Sequence, residues 1–349
     1  MERKDYNMPF LLKYENVAWY EKGKVRILDR RVFPERKFAV CESYMEVKKA
    51  IADMVTQSAG PYTAVGMGMA LAAYECRDKS QKQQLEFLEK AAFELSHARP
   101  TTANRYGKIT YSCLEIAKAA LEKGNDPVDA IFNETIESLN RRYSVMRLVG
   151  DNLLELIPEG GTILTQCYGE TIIGTLIQAA IEKNKSFKVV CTETRPYLQG
   201  ARLTSSCFGE MGFDTTVICD NMAAYYMEHQ GIDLFTSAAD TIARDGHIAN
   251  KIGTFQLAMI SSFFKVPYYV TGIPDEDKFG KDDIVIEMRD PSQVLSYRGI
   301  KNTIAEVKGI YPSFDITPPE LIKGVVTDKG VYEANRLKDY FTGQRQRFY

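Results

Sequence analysis

A chain of 349 residues is on the order of two domains, and 45% apolar with 26% charged residues is the make-up of a globular protein able to bury two cores. The formal charge of -2 gives no bulk electrostatic ground for binding nucleic acid or an anionic membrane. Seven cysteines without a Cys-x-x-Cys pair, and only three histidines, argue against a zinc site, a redox dithiol or a transition-metal cluster.

No apolar run approaches the roughly 18 residues of a membrane span. The opening Met1-Glu-Arg-Lys-Asp-Tyr6 lacks the apolar core of a signal peptide. A cytoplasmic protein is expected. Residues 1–40 mix aromatics with charge around Trp19, Tyr20 and Val25-Arg-Ile-Leu28, and read as a small β-meander. Residues 41–154 turn helical. Ser43-Tyr-Met-Glu46 has the form of a capping box, followed by Val47, Ile51, Met54 and Val55 at helical spacing. Gly60-Pro61 reads as a break, after which Ala64–Tyr74 forms a small-residue helix. Further helices are expected over 84–95, 109–123 and 127–154.

From residue 155 to the C-terminus apolar runs alternate with helices. Strands are expected at 162–165, 187–191, 215–219, 232–236 and 266–270, with helices at 170–183, 199–211 and 222–230. That alternation predicts a Rossmann-like α/β domain, a doubly wound parallel sheet behind a helical N-terminal domain. The first βα turn reads Cys167-Tyr-Gly-Glu170, not Gly-x-Gly-x-x-Gly, and there is no Gly-Lys-Ser/Thr. A dinucleotide or a P-loop nucleotide is therefore disfavoured. Without a Gly-x-Ser-x-Gly elbow, a Ser-His-Asp hydrolase is unsupported as well.

In such a sheet the turns at the carboxyl ends of the strands face one crevice. They offer Thr165-Gln-Cys167, then Thr192-Glu-Thr-Arg-Pro-Tyr-Leu-Gln-Gly-Ala-Arg-Leu203, then Asp220-Asn221, then Asp240. Asn250-Lys251 reads as the opening of the following helix. A carboxylate, an amide, a cation and a helix N-terminus can hold a phosphate and supply a proton-transfer group, although an Asp cap on a surface loop fits the same spacing. Cys167 is either an acid, base or hydrogen-bond donor with a shifted pKa, or a small buried apolar residue. Arg99, at a helix junction, reads equally as a phosphate clamp or as packing.

Taken together these segments resemble the methylthioribose-1-phosphate isomerase family. The resemblance rests on residues 192–203, on Ala239-Asp240 with Gly246-x-x-Ala-Asn-Lys-Ile-Gly253, on Pro312-Ser-Phe-Asp-Ile-Thr-Pro318 and on Val326-Thr-Asp-Lys-Gly-Val331. It runs from about residue 50 to the C-terminus. The wider superfamily includes ribose-1,5-bisphosphate isomerases and regulatory subunits of a translation-initiation exchange factor. The resemblance implies an aldose–ketose isomerase with Cys167 and Asp240 as the catalytic pair. Gln199, Asn250, Lys251 and Arg99 would bind substrate. It implies a phosphosugar substrate, no metal or organic cofactor, and a homodimer, with Tyr340-Phe341 to Phe348-Tyr349 offering apolar contact surface. The non-catalytic relatives generally lack the Cys and Asp pair. A regulatory or ligand-sensing protein of the same superfamily is the alternative, as is a ribose-1,5-bisphosphate isomerase.

One departure bears on the substrate. Where the isomerases carry a substrate-contacting Arg-Gly-Ala, this chain has Gln57-Ser58-Ala59, so the arginine is missing. Gln166-Cys167-Tyr168-Gly169 also stands where many relatives have His-Cys-Asn. A branch acting on 5-deoxyribose 1-phosphate is thereby suggested. In the mechanism implied, Asp240 donates a proton to the ring oxygen from a carboxyl raised by burial, and Cys167 stabilises the transition state or shuttles a proton.

Overall fold

A computed structural model describes residues 3–99 and 103–342, which divide into two compact units, residues 3–144 and 145–342. The first unit opens with a one-turn helix α1 (Tyr14–Val17) and three antiparallel strands in the order β1 (Ala18–Glu21), β2 (Lys24–Leu28), β3 (Phe38–Cys41). Lys22 and Gly23 join β1 to β2 with φ 49° and 76°, the positive pair that a two-residue hairpin needs. Five helices follow: α2 (Tyr44–Ala52), α3 (Gly60–Cys76), α4 (Gln81–Ser96), α5 (Ala103–Glu122) and α6 (Pro127–Leu156). The boundary between the units falls inside α6.

The caps explain two of these starts. The Ser43 side chain accepts from the Glu46 N–H, but the Glu46 carboxylate accepts from the N–H of Glu42 instead of closing the box on Ser43. Ser80 and Gln83 close a full box at α4. Gly60-Pro61 is not a break: it forms the first turn of α3, where proline costs no hydrogen bond. Almost every residue of α3 is buried, and its small residues permit that. A Cβ at Gly66 would meet the Thr135 hydroxyl oxygen at 2.5 Å.

The second unit is an α/β fold, as the alternation of the sequence predicts. Its seven-stranded sheet has the order β15-β14-β10-β7-β4-β5-β6. The strands are β4 (Thr162–Thr165), β5 (Lys188–Thr192), β6 (Thr215–Ile218), β7 (Leu234–Ala238), β10 (Tyr268–Thr271), β14 (Gly324–Thr327) and β15 (Gly330–Tyr332). All neighbours are parallel except β14 and β15. Helices α7 (Glu170–Glu182), α8 (Ser205–Glu210), α9 (Ala223–His229) and α10 (Thr254–Phe263) provide crossovers. The apolar core gathers Leu164, Val190, Phe235, Val270 and Val325, with Phe235 stacked on Tyr268 at 4.2 Å between centroids.

A second, antiparallel sheet in the order β13-β9-β8 joins β8 (Thr241–Ile242), β9 (Ile248–Lys251) and β13 (Phe314–Thr317), and a short hairpin pairs β11 (Ser296–Tyr297) with β12 (Ile300–Lys301). Here the structure corrects an expectation: Asn250-Lys251 ends a strand, and the helix begins only at Thr254, after Gly253 at φ 100°. Tyr340 is not a free contact surface either. It lies in the core of this unit, 3% exposed, with its hydroxyl donating to Asp328 at 2.9 Å, and Phe341 packs beside it. Phe348 and Tyr349 lie outside the described residues.

Candidate active site

Strand order reverses between β4 and β7, because the chain winds outward from β4 through β5 and β6 and then returns to start β7 on the other side. Open α/β sheets bind ligands at this switch point, beyond the carboxyl ends of the strands. Cys167 stands two residues past the end of β4 and Asp240 two residues past the end of β7, on directly paired strands.

Cys167 is held by the turn that follows β5. Its N–H donates to the Thr194 hydroxyl at 3.0 Å, and its carbonyl accepts from the Thr204 hydroxyl. Its φ of 61° is left-handed, a conformation that persists in a non-glycine residue only where surroundings impose it. Thr194, at φ 63°, is fixed in turn: its N–H and that of Arg195 donate to the two carboxylate oxygens of Asp220, each at 2.7 Å. Gly200 permits the loop to close on itself, since a Cβ there would lie 1.8 Å from the Thr192 carbonyl oxygen. Gln199 is thereby set beside this loop, 4% exposed, with its Oε1 buried and lacking a hydrogen-bond partner among the described residues.

Gln166 ties the same turn to β9. Its Nε2 donates to the Ile252 carbonyl at 2.9 Å and its Oε1 accepts from the Thr254 hydroxyl. All of β9 is buried, Asn250 and Lys251 included. Asn250 donates to the Thr254 hydroxyl at 3.1 Å, and the Lys251 ammonium lies 4.7 Å from the centroid of Phe314. Asp240 borders the hairpin of β8 and β9, its N–H donating to the Ala249 carbonyl at 2.9 Å. Asp315 accepts from the N–H groups of Gly253 and Phe255 at 2.7 and 3.0 Å, which fixes the start of α10, and burial pushes its carboxyl up to about 6.

Electrostatics separate the two expected catalytic groups. The Cys167 thiol is pushed up to about 11, by burial first; Asp240 adds to the rise, while Lys251 and Arg289 oppose it. The thiol is therefore neutral at pH 7 and available as a proton donor. Asp240 is exposed, which corrects the expectation of a buried carboxyl at that position.

Gln57, Ser58, Ala59 and Arg99 belong to the first unit. Gln57-Ser58-Ala59 is the turn that enters α3, and the Gln57 carbonyl accepts from Gly60 N–H at 3.1 Å and from the buried Arg30 guanidinium at 2.6 Å. Gln57 is 3% exposed, and its Oε1, like that of Gln199, is buried without a partner among the described residues. Ser58 is exposed at φ 57°, left-handed at the position where the resembling family has glycine. Arg99 is half-buried just past α4; Pro100, Thr101 and Thr102 lie outside the described residues.

Arg30, Asp315 and Arg289 were not singled out in the sequence, although Asp315 lies inside the Pro312–Pro318 segment that carries the resemblance. Asp315 and Arg289 lie far in sequence from the residues they support, so no spacing marks them. A surface cavity of about 510 Å³ near Gly160, Lys188 and Asp214 opens at the amino ends of β4, β5 and β6 and holds none of the expected site residues.

Residues 59–334 match the model of the initiation factor 2 subunit family. Methylthioribose-1-phosphate isomerase of Pelotomaculum thermopropionicum is 35% identical, over 93% of each chain. That of Carboxydothermus hydrogenoformans is 34% identical, over 94% of this chain and 100% of the relative. Among solved structures, 5-methylthioribose 1-phosphate isomerase from Pyrococcus horikoshii superposes with a TM-score of 0.78 at 28% identity, covering 95% of this chain and 98% of that one. The delta subunit of translation initiation factor eIF-2B from A. fulgidus gives 0.76 at 29% identity, covering 91% and 96%.

Proposed function

The chain belongs to the initiation factor 2 subunit family and is an isomerase, and we propose that it converts a 5-substituted ribose 1-phosphate to the corresponding ribulose 1-phosphate, with Cys167 and Asp240 as its catalytic pair. The observation that carries the reading is the placement of these two residues past β4 and β7, at the reversal of strand order.

A sugar 1-phosphate is a blocked hemiacetal, so its ring does not open freely. Protonation of the ring oxygen breaks the C1–O bond; hydrogen then moves from C2 to C1 and the C2 hydroxyl gives up its proton, which restores the acid spent in the first step and yields the ketose. Asp240 donates to the ring oxygen. The neutral Cys167 thiol donates a hydrogen bond to the oxygen that gains charge as hydrogen moves. Lys251 holds anionic oxygen, and Asn250 and Gln199 hold hydroxyls. The buried Oε1 of Gln199, without a partner among the described residues, is an acceptor suited to a sugar hydroxyl. The enzyme acts as a cytoplasmic homodimer.

The preferred substrate is 5-deoxyribose 1-phosphate. A glutamine at position 57 removes a permanently charged, bidentate donor from the place where the family carries arginine. The names of the relatives favour a second reading, methylthioribose 1-phosphate, whose product feeds methionine salvage. The ratio of kcat/KM for the two sugars decides between them. A ratio of about ten or more for methylthioribose 1-phosphate, worth about 1.4 kcal/mol, removes the deoxyribose preference and leaves the isomerase standing.

A further inference from the structure

The strand that carries Lys251 is paired by β13, with Phe314 opposite Lys251. Just before β13 the chain forms a second antiparallel contact. Ser313 N–H donates to the Glu287 carbonyl and Arg289 N–H to the Tyr311 carbonyl, each at 2.8 Å, around a bridge between Met288 and Pro312. This register delivers Arg289 to the side of the sheet that holds Lys251. Both cations lie over one ring: the Lys251 ammonium is 4.7 Å and the Arg289 guanidinium carbon 5.9 Å from the centroid of Phe314.

The Arg289 side chain is 8% exposed. Its Nε donates to the Glu287 carboxylate at 3.2 Å, but its Nη1 is buried with no hydrogen-bond partner among the described residues. The Tyr311 hydroxyl, in a residue 2% exposed, is also buried and lies beside the Arg289 guanidinium. An ion pair with Glu287 accounts for one of the five donors of a guanidinium and leaves the buried Nη1 unexplained. Leaving a buried charged donor without an acceptor is costly, and the cost is removed if an anion fills the gap. The same guanidinium acts on the site: Arg289 and Lys251 both hold the Cys167 thiol lower than burial alone would, and Arg289 does the same for Tyr311.

We propose that Arg289 is a second cationic substrate ligand, which grips the phosphoryl group of the substrate together with Lys251 while the Tyr311 hydroxyl donates to the same group. The assignment rests on the sugar-phosphate reading above. A phosphoryl dianion matches two buried cations, and a planar guanidinium offers it parallel donors.

The test titrates inorganic phosphate calorimetrically into the full-length wild type, Arg289→Gln and Arg289→Lys, with thermal midpoints recorded for each. Arg289→Gln is expected to weaken phosphate binding about 10- to 100-fold, the loss of one charge-assisted contact. Arg289→Lys, which keeps the charge and loses the fork, is expected to recover part of that loss. In turnover assays KM rises by a similar factor while kcat changes less. Equal phosphate affinity in the wild type and Arg289→Gln overturns the proposal. So does undetectable phosphate binding by the wild type, or a loss in Arg289→Gln that accompanies an unfolded variant and is absent from a folded Arg289→Lys. If the wild type turns over no pentose 1-phosphate yet binds phosphate in an Arg289-dependent way, the isomerase reading fails and the anion site stands.

Discussion

Cys167 and Thr194 are joined by a 3.0 Å hydrogen bond from the backbone N–H of the first to the hydroxyl of the second, and both residues hold left-handed backbone. That conformation costs an L-residue about 1–2 kcal/mol. The Asp220 carboxylate, which accepts from two successive N–H groups, and the Thr204 hydroxyl, which donates to the Cys167 carbonyl, hold it in place. The turns after β4 and β5 therefore act as one rigid piece that aims the thiol.

Thr194→Val keeps the shape of the side chain and removes the acceptor. An unpaired buried N–H costs about 1–3 kcal/mol, so the thermal midpoint should fall by several degrees. Because a small displacement of a reacting group is enough to slow chemistry, kcat should drop about tenfold or more with a smaller change in KM. Wild-type kcat in the variant, measured beside its melting curve, would show that the bond does not position Cys167.

The thiol itself gives a second check. With Cys167 pushed up to about 11, its thiolate fraction is negligible at neutral pH and grows only as pH climbs toward that value. Iodoacetamide should modify Cys167 slowly at pH 7 to 8, followed by peptide mass spectrometry, with a rate that rises steeply above pH 10. Rapid labelling at pH 7 would identify a thiolate and overturn the donor role.

Asp315 bears on stability and on the start of α10. Its carboxyl rises from 3.8 to about 6 on folding, so between those pH values the native state binds more protons than the unfolded chain. Stability from this group is fully present below pH 3.8 and is lost as pH rises through 6. Asp315→Asn removes the titration. The difference in unfolding free energy between wild type and variant should therefore change across pH 4 to 6 in the direction that favours the wild type at the acid end. A difference independent of pH would contradict the buried, raised carboxyl.

Much of the second unit was legible in the sequence, for a physical reason. The centres of β4, β5 and β7 are buried on both faces, and α7, the 13-residue helix between β4 and β5, is long enough to show its period. β9 was not legible. Its Ile-Ala-Asn-Lys is half polar yet wholly buried, because β8 and β13 flank it and Thr254 serves Asn250. β14 and β15 are two short strands joined by a tight turn after a long irregular excursion, where no periodicity builds up. Cys167 and Asp240 stood out as residues that follow strands, and the family resemblance, not their position, gave them a role. Arg289 did not stand out, since only tertiary pairing with Tyr311 brings it to Lys251.

Gln57 illustrates a constraint that only the structure exposes. Its carbonyl already receives the buried Arg30 guanidinium at 2.6 Å. Restoring the arginine of the resembling family by Gln57→Arg places a second cation beside the first, and the like charges should lower the thermal midpoint by several degrees. Gln57→Met, of similar volume, should cost less. Equal midpoints for the two variants would remove Arg30 from the account of this position.

The measurement closest to the central claim follows 5-deoxyribose 1-phosphate and methylthioribose 1-phosphate by proton NMR with the wild type, Asp240→Asn and Cys167→Ser. The wild type should convert at least one of the sugars to its ketose, with the C2 proton signal lost and new C1 methylene signals appearing. Asp240→Asn should slow the conversion by about 10²–10⁴, the usual weight of one general acid, and Cys167→Ser should slow it as well. No ketose from either sugar with folded wild-type protein, or near wild-type rates in both variants, would contradict an isomerase built on Cys167 and Asp240.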